Sequence, residues 1–103
     1  MAAEALTGAG LHIIEKNFRS KNGEIDIIAQ DGDILVFVEV KSWSRYGLED
    51  LEKSITRKKQ ERIIETAKYF LSINRKYNDM KVRFDVIFLG NQGIKHLESA
   101  FVE

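Results

Sequence analysis

The chain has no cysteine, which excludes disulfides, zinc–cysteine centres and thiol nucleophiles. It has no proline either, an absence for which we have no functional account. No apolar run approaches the roughly 20 residues that span a bilayer, and Met1–Leu6 lacks the basic-then-apolar order of a secretory leader. No glycine-rich phosphate loop or serine-nucleophile elbow is present. An excess of either charge is missing as well, since sixteen basic residues balance sixteen acidic ones. A generic electrostatic nucleic-acid binder is basic overall, so any such binding must come from a local patch. These absences predict a cytoplasmic protein with no membrane partner. The 103 residues suit one domain, 1–103, around one core.

What is present is periodicity. Ala2, Ala3, Ala5 and Leu6 favour a short first helix that Gly8 and Gly10 end. Leu11–Phe18 reads as a strand. Glu24–Gln30 and Asp33–Lys41 are rich in Ile and Val, and Asp31-Gly32 between them signals a tight hairpin. From about Asp50 to Lys76 the period changes, with Ile63, Ala67, Phe70 and Leu71 at helical spacing. Val82–Leu89 is a further strand, Gly90–Gly93 a turn, and Ile94–Leu97 with Ala100–Val102 supply a last short strand. The expected class is α/β: a mixed β-sheet flanked by helices, in the order helix, three strands, helix, then one or two strands, around an α-β-β-β-α-β core.

The hairpin carries the chemistry. With Asp31 and Gly32 as a two-residue loop, Gln30 pairs with Asp33, Ile28 with Leu35, Asp26 with Phe37 and Glu24 with Glu39. Opposed residues project to one side and side chains alternate along a strand, so Glu24, Asp26, Glu39 and Lys41 share a face. Asp26 and Glu39 become diagonal neighbours about 7–8 Å apart, close enough to reach a common ion. A hard divalent cation takes oxygen ligands and offsets the repulsion between them. Lys41, two residues along, can meet a substrate phosphate or the attacking water; equally, it can form a structural ion pair with Glu39 or Glu24. The run Val36-Phe37-Val38 predicts a strand buried on both faces, whose terminal charges need a partner or a metal.

Arg57, Lys58, Lys59 and Arg62 cluster early in the long helix, with Lys41 and Arg45 upstream. They form either a phosphate-binding patch, aided by the helix N-terminus, or a solvated face. Trp43 and Tyr46 can stack on unpaired bases or cap the core. His12 and His96 stand in no metal-ligand spacing, and Asp85, two residues after Arg83, reads as a structural pair.

Gly23-Glu24-Ile25-Asp26 followed, twelve residues on, by Glu39-Val40-Lys41 resembles the core of the PD-(D/E)xK, or restriction-endonuclease-like, superfamily. The fuller string resembles the bacterial UPF0102 family, related to archaeal Holliday junction resolvases. It comprises Glu15-Lys16-Asn17-Phe18-Arg19, Gly23 to Ala29, Asp31-Gly32-Asp33, Leu35 to Lys41, Arg83-Phe84-Asp85-Val86 and Ala100-Phe101. The resemblance implies that Asp26 and Glu39, completed by the carbonyl of Val40, hold Mg²⁺ or Mn²⁺. It implies that Lys41 orients the hydrolytic water, with Glu24 in a supporting role. Gln60 is the helix residue expected to support the site, because it shares a helical face with Ile63, Ile64 and Ala67. The implied activity is metal-dependent hydrolysis of DNA, branched or otherwise structured, with a homodimer as the natural assembly for cutting two strands. Family members begin with a longer helix whose Gly-Glu pair would fall before Met1, so the expectation is either an N-terminally shortened domain or a site lacking one acidic group. The alternative is an accessory nucleic-acid-binding module with a degenerate site, and a third reading is a protein-interaction domain with neither metal nor DNA binding.

Overall fold

The computed structural model describes residues 1–43, 55–90 and 93–102, without the side chain of Trp43. Helix α1 spans Ala2–Gly8. Strands β1 (His12–Ser20), β2 (Gly23–Asp31) and β3 (Ile34–Trp43) follow, then helix α2 (Arg57–Ile73), a short 3-10 turn at Arg75–Tyr77, and strands β4 (Lys81–Gly90) and β5 (Gly93–Phe101). The strands lie in sequence order in one sheet, antiparallel except for the parallel pair β3–β4. That parallel pair needs a crossover, and α2 is what fills it. The mixed sheet with helices on its two faces is the α/β architecture the periodicity predicts.

The expected helix from Asp50 begins outside the described residues; within them, Thr56 caps α2 and Arg57 is its first residue. The two short C-terminal segments form one strand, β5, interrupted by a register shift opposite Phe84 and Val86, with Ser99 at a φ of 51°.

β3 is central, with β2 on one side and β4 on the other, and Leu35 to Val38 are wholly buried. Its odd residues, Leu35 and Phe37, pack with Phe84, Val86 and Phe88 beneath α2, where Ile63, Ala67 and Phe70 close the core. Phe70 anchors this side, meeting Phe18 and Phe37 edge-on at centroid distances of 5.1 and 6.0 Å. Burying one such ring stabilises by roughly 1.5–3 kcal/mol, before any gain from ring geometry. The even residues Val36 and Val38 join Ile27, Ala29 and Ile87 on the opposite face, where Ala2, Leu6 and Leu11 cover them.

The hairpin register differs from expectation. The β2–β3 pairs run from Asp31–Ile34 through Ile28–Phe37 to Ile27–Val38, so the loop is Gly32-Asp33 rather than Asp31-Gly32. Each β2 residue faces a β3 residue two places further along than the turn rule predicts. Asp31 is held in the strand because its carboxylate accepts from Arg83 Nη1 at 3.1 Å, a contact from a distant strand that a local turn rule does not see. Gly32 then takes the left-handed position, with φ of 61°. A slip of two residues is even, so the faces of the side chains survive it.

Alternation along β2 also breaks once. Ile25 joins Ile28 on the α2 side, although Ile27 and Ala29 face the other way. The break lies opposite Asn17, which has φ of 55° between the pairs Lys16–Ile27 and Phe18–Ile25.

Candidate active site

The β2–β3 ladder ends at Ile27–Val38, and continuing its register sets Asp26 level with Glu39. A side chain takes over there from the main chain: Asp26 Oδ2 accepts the Val40 N–H at 2.7 Å. This hydrogen bond ties the aspartate of one strand to the acid-x-lysine segment of the next. Gly23, Glu24, Asp26, Glu39, Val40, Lys41, Lys59, Arg62 and Ile63 line one cleft of about 330 Å³ between the end of the hairpin and the first turns of α2.

The structure therefore brings Asp26, Glu39 and Lys41 together, as the alternation argument expected, and the Val40 backbone, which only the resemblance pointed to, lines the same cleft while its side chain packs on the other face. Glu24 reaches the same cleft, with its carboxylate 3.3 Å from Arg19 Nε at the rim. The helix residues divide. Lys59 and Arg62 enter the cleft, whereas Arg57 and Gln60 line a separate depression with Glu61, Ile64, Glu65, Lys68 and Val102. Lys58 is exposed and lines neither of these. Gln60 is not part of the cleft; its Nε2 donates to the Ile55 carbonyl at 3.2 Å. The helix residue that meets the acidic pair is Lys59, with Nζ 2.6 Å from Glu39 Oε2.

The reason is rotation about the helix axis. Ile63, Thr66, Ala67 and Phe70 are the buried residues of α2, and Lys59 precedes Ile63 by one helical turn. The side of that buried stripe bearing Lys59, Arg62 and Thr66 faces the hairpin. Gly23 lies beneath it, where a side chain would sit 3.5 Å from Thr66 Oγ1 and 3.9 Å from Arg62 Cβ. Thr66 on this side is wholly buried, and its hydroxyl donates to the Arg62 carbonyl at 2.8 Å.

Electrostatics follow from burial. Glu39 is 6% exposed, and loss of water pushes its carboxyl above the ordinary value, with repulsion from Asp26 adding to the rise and Lys59 opposing it. Lys59, less buried, is raised by its contact with Glu39. Lys41 is lowered, first by the neighbouring Lys59 and then by burial, with Glu39 and Asp26 working against both. Two carboxylates and two ammonium groups thus sit in one partly buried cluster.

The donor set suits a hard cation that keeps much of its water. Among the described residues no three acidic, histidine or cysteine side chains converge on one point, yet two carboxylates are what Mg²⁺ commonly takes from a protein, the rest being water and phosphate. The repulsion between Asp26 and Glu39 is the feature a cation would relieve. The residues fit such an ion.

Other sequence candidates fall elsewhere. Asp85 is wholly buried and accepts from Arg83 Nε and Nη2 at 2.9 and 3.0 Å and from the Ser99 N–H at 3.0 Å, with His96 Nε2 at 2.7 Å. It is the structural pair expected, and His96, isolated in sequence, belongs to it. Arg45, Tyr46 and the side chain of Trp43 lie outside the described residues.

Residues 1–89 match the model of "Uncharacterised protein family UPF0102". A UPF0102 protein of Treponema denticola is 51% identical over 96% of this chain and 87% of its own length. One from Treponema pallidum is 47% identical over 97% of this chain and 85% of its own length, and one from Persephonella marina 45% over 97% and 85%. With most of its length matched by the family model and about half its residues shared with such relatives, the chain belongs to the UPF0102 family.

Proposed function

We propose that this protein is an Mg²⁺- or Mn²⁺-dependent phosphodiesterase acting on DNA in the cytoplasm, with branched or otherwise structured DNA as its substrate class. The observation that carries the reading is the meeting of Asp26, Glu39 and Lys41 in one cleft, tied by the Val40–Asp26 hydrogen bond. This arrangement resembles the constellation of the PD-(D/E)xK superfamily, and we extend the kinship to the Holliday junction resolvases on that basis. When bound, the ion would lower the pKa of a coordinated water and neutralise charge on the scissile phosphate. Asp26 and Glu39 would hold the ion, with the Val40 carbonyl as a third ligand. Lys41, whose proton is held less firmly than that of an ordinary lysine, would orient the attacking water and offset charge on the phosphate. Arg62 and the exposed Arg57 and Lys58 supply positive charge for the flanking backbone.

The test is cleavage of junction, flap and single-stranded DNA with Mn²⁺. Wild type is expected to cut at least one of these and Asp26→Ala none; equal behaviour of the two removes the claim of catalysis. One observation favours the accessory-module alternative: Glu39 is already paired with Lys59. That alternative predicts DNA binding that survives Asp26→Ala without any cleavage.

A further inference from the structure

The cleft's charges are balanced without any ion. Glu24, Asp26 and Glu39 face Lys41, Lys59 and Arg62, three formal negatives against three positives. Lys59 Nζ stands 2.6 Å from Glu39 Oε2, and that carboxylate is almost wholly out of water. A divalent ion taking an oxygen of Glu39 would sit about 2.0–2.1 Å from it. Such an ion brings two further positive charges into a site already holding an ammonium group, so Lys59 and the ion cannot share Glu39 at low cost.

We propose that Lys59 is the built-in counter-ion of the acidic pair, which a divalent cation displaces and which then turns to a phosphate of the nucleic acid. Lys59 lies on the first turn of a helix and lines the cleft beside Arg62 and Lys41, so the released ammonium group stays within reach of the cleft. Metal and polyanion thereby enter as partners: each is bound weakly alone, and each strengthens the other to the same degree. This inference rests on the metal-dependent reading above and adds to it a positioning role for a residue outside the acid-x-lysine motif.

Mn²⁺ binding, followed by loss of the free-ion paramagnetic resonance signal without nucleic acid, tests it independently of activity. Lys59→Gln is expected to bind Mn²⁺ about five- to tenfold more tightly than wild type, since one ion pair no longer competes. Lys59→Arg keeps the charge and can grip Glu39 with two hydrogen bonds, so it should bind less tightly than wild type. Equal or weaker binding by Lys59→Gln overturns the proposal. Should that variant not fold, Lys59→Arg binding as tightly as wild type overturns it instead. The failure of the underlying reading looks different: Asp26→Ala would then bind Mn²⁺ as well as wild type does, or no form would bind at all.

Discussion

Glu39 shows how a single residue divides its worth between folding and chemistry. Burial favours its protonated form, and Lys59 offsets only part of that effect. Because its folded-state pKa lies above the unfolded value of 4.5, its favourable contribution to stability is complete below that value and is lost as pH climbs through the raised one. Glu39→Gln is therefore expected to be more stable than wild type at neutral pH, on the order of 1 kcal/mol, with Lys59 free to turn into water. The gap should close toward pH 4, where both side chains are neutral. Urea denaturation at the two pH values checks this, and a variant less stable than wild type at neutral pH would show that the ion pair outweighs desolvation. The same substitution should abolish Mn²⁺ binding, the usual exchange of stability against function at a charged site.

At the scale of elements, the first turn of α2 positions Lys59 and Arg62, and its integrity depends on Thr56. The Thr56 hydroxyl accepts the Lys59 N–H at 3.2 Å, satisfying one of the donors a helix start leaves open. Thr56→Ala should cost about 1 kcal/mol in chemical denaturation and raise amide exchange at Lys59. Unchanged exchange there would mean that packing of Ile63 alone holds the turn. The β4–β5 corner is fastened differently. Buried Asp85 gathers Arg83, His96 and the Ser99 N–H at the irregular stretch of β5, and Arg83 reaches on to Asp31 of the hairpin. That polar network lies on the face opposite α2, and it is what draws Asp31 into the strand and sets the hairpin register.

For the whole molecule, a formal net charge of zero means that attraction to DNA depends on where charges sit rather than on their sum. Arg57 and Lys58 are exposed beside the cleft without entering it, so they belong to positioning on phosphates. Arg57→Gln combined with Lys58→Gln should weaken binding by similar factors across DNA structures and flatten the salt dependence of affinity. On duplex DNA the slope of log K against log salt should shrink by roughly 0.9 for each phosphate that the variant no longer neutralises. Fluorescence anisotropy at several salt concentrations reads this, and an unchanged slope would assign both residues to a merely solvated face.

The sequence by itself determined the common face of the acid and lysine side chains, though not that of Ile25, where alternation along β2 breaks. Strand alternation has a period of two, so Asp26, Glu39 and Lys41 kept a common side even though the hairpin slid by two residues. It likewise determined that the central strand is buried on both faces, because Val36-Phe37-Val38 leaves no side for water. Only the tertiary structure decided the register, since the Asp31–Arg83 contact joins residues 52 apart in the chain. It alone decided that Lys59 rather than Gln60 meets Glu39. Adjacent helix residues point about 100° apart, and which of them faces a strand depends on how Ile63, Thr66 and Phe70 seat against the sheet. Local patterns repeat within a few residues and can be read there, whereas the rotation of a helix and the pairing of distant charges exist only once the core has closed.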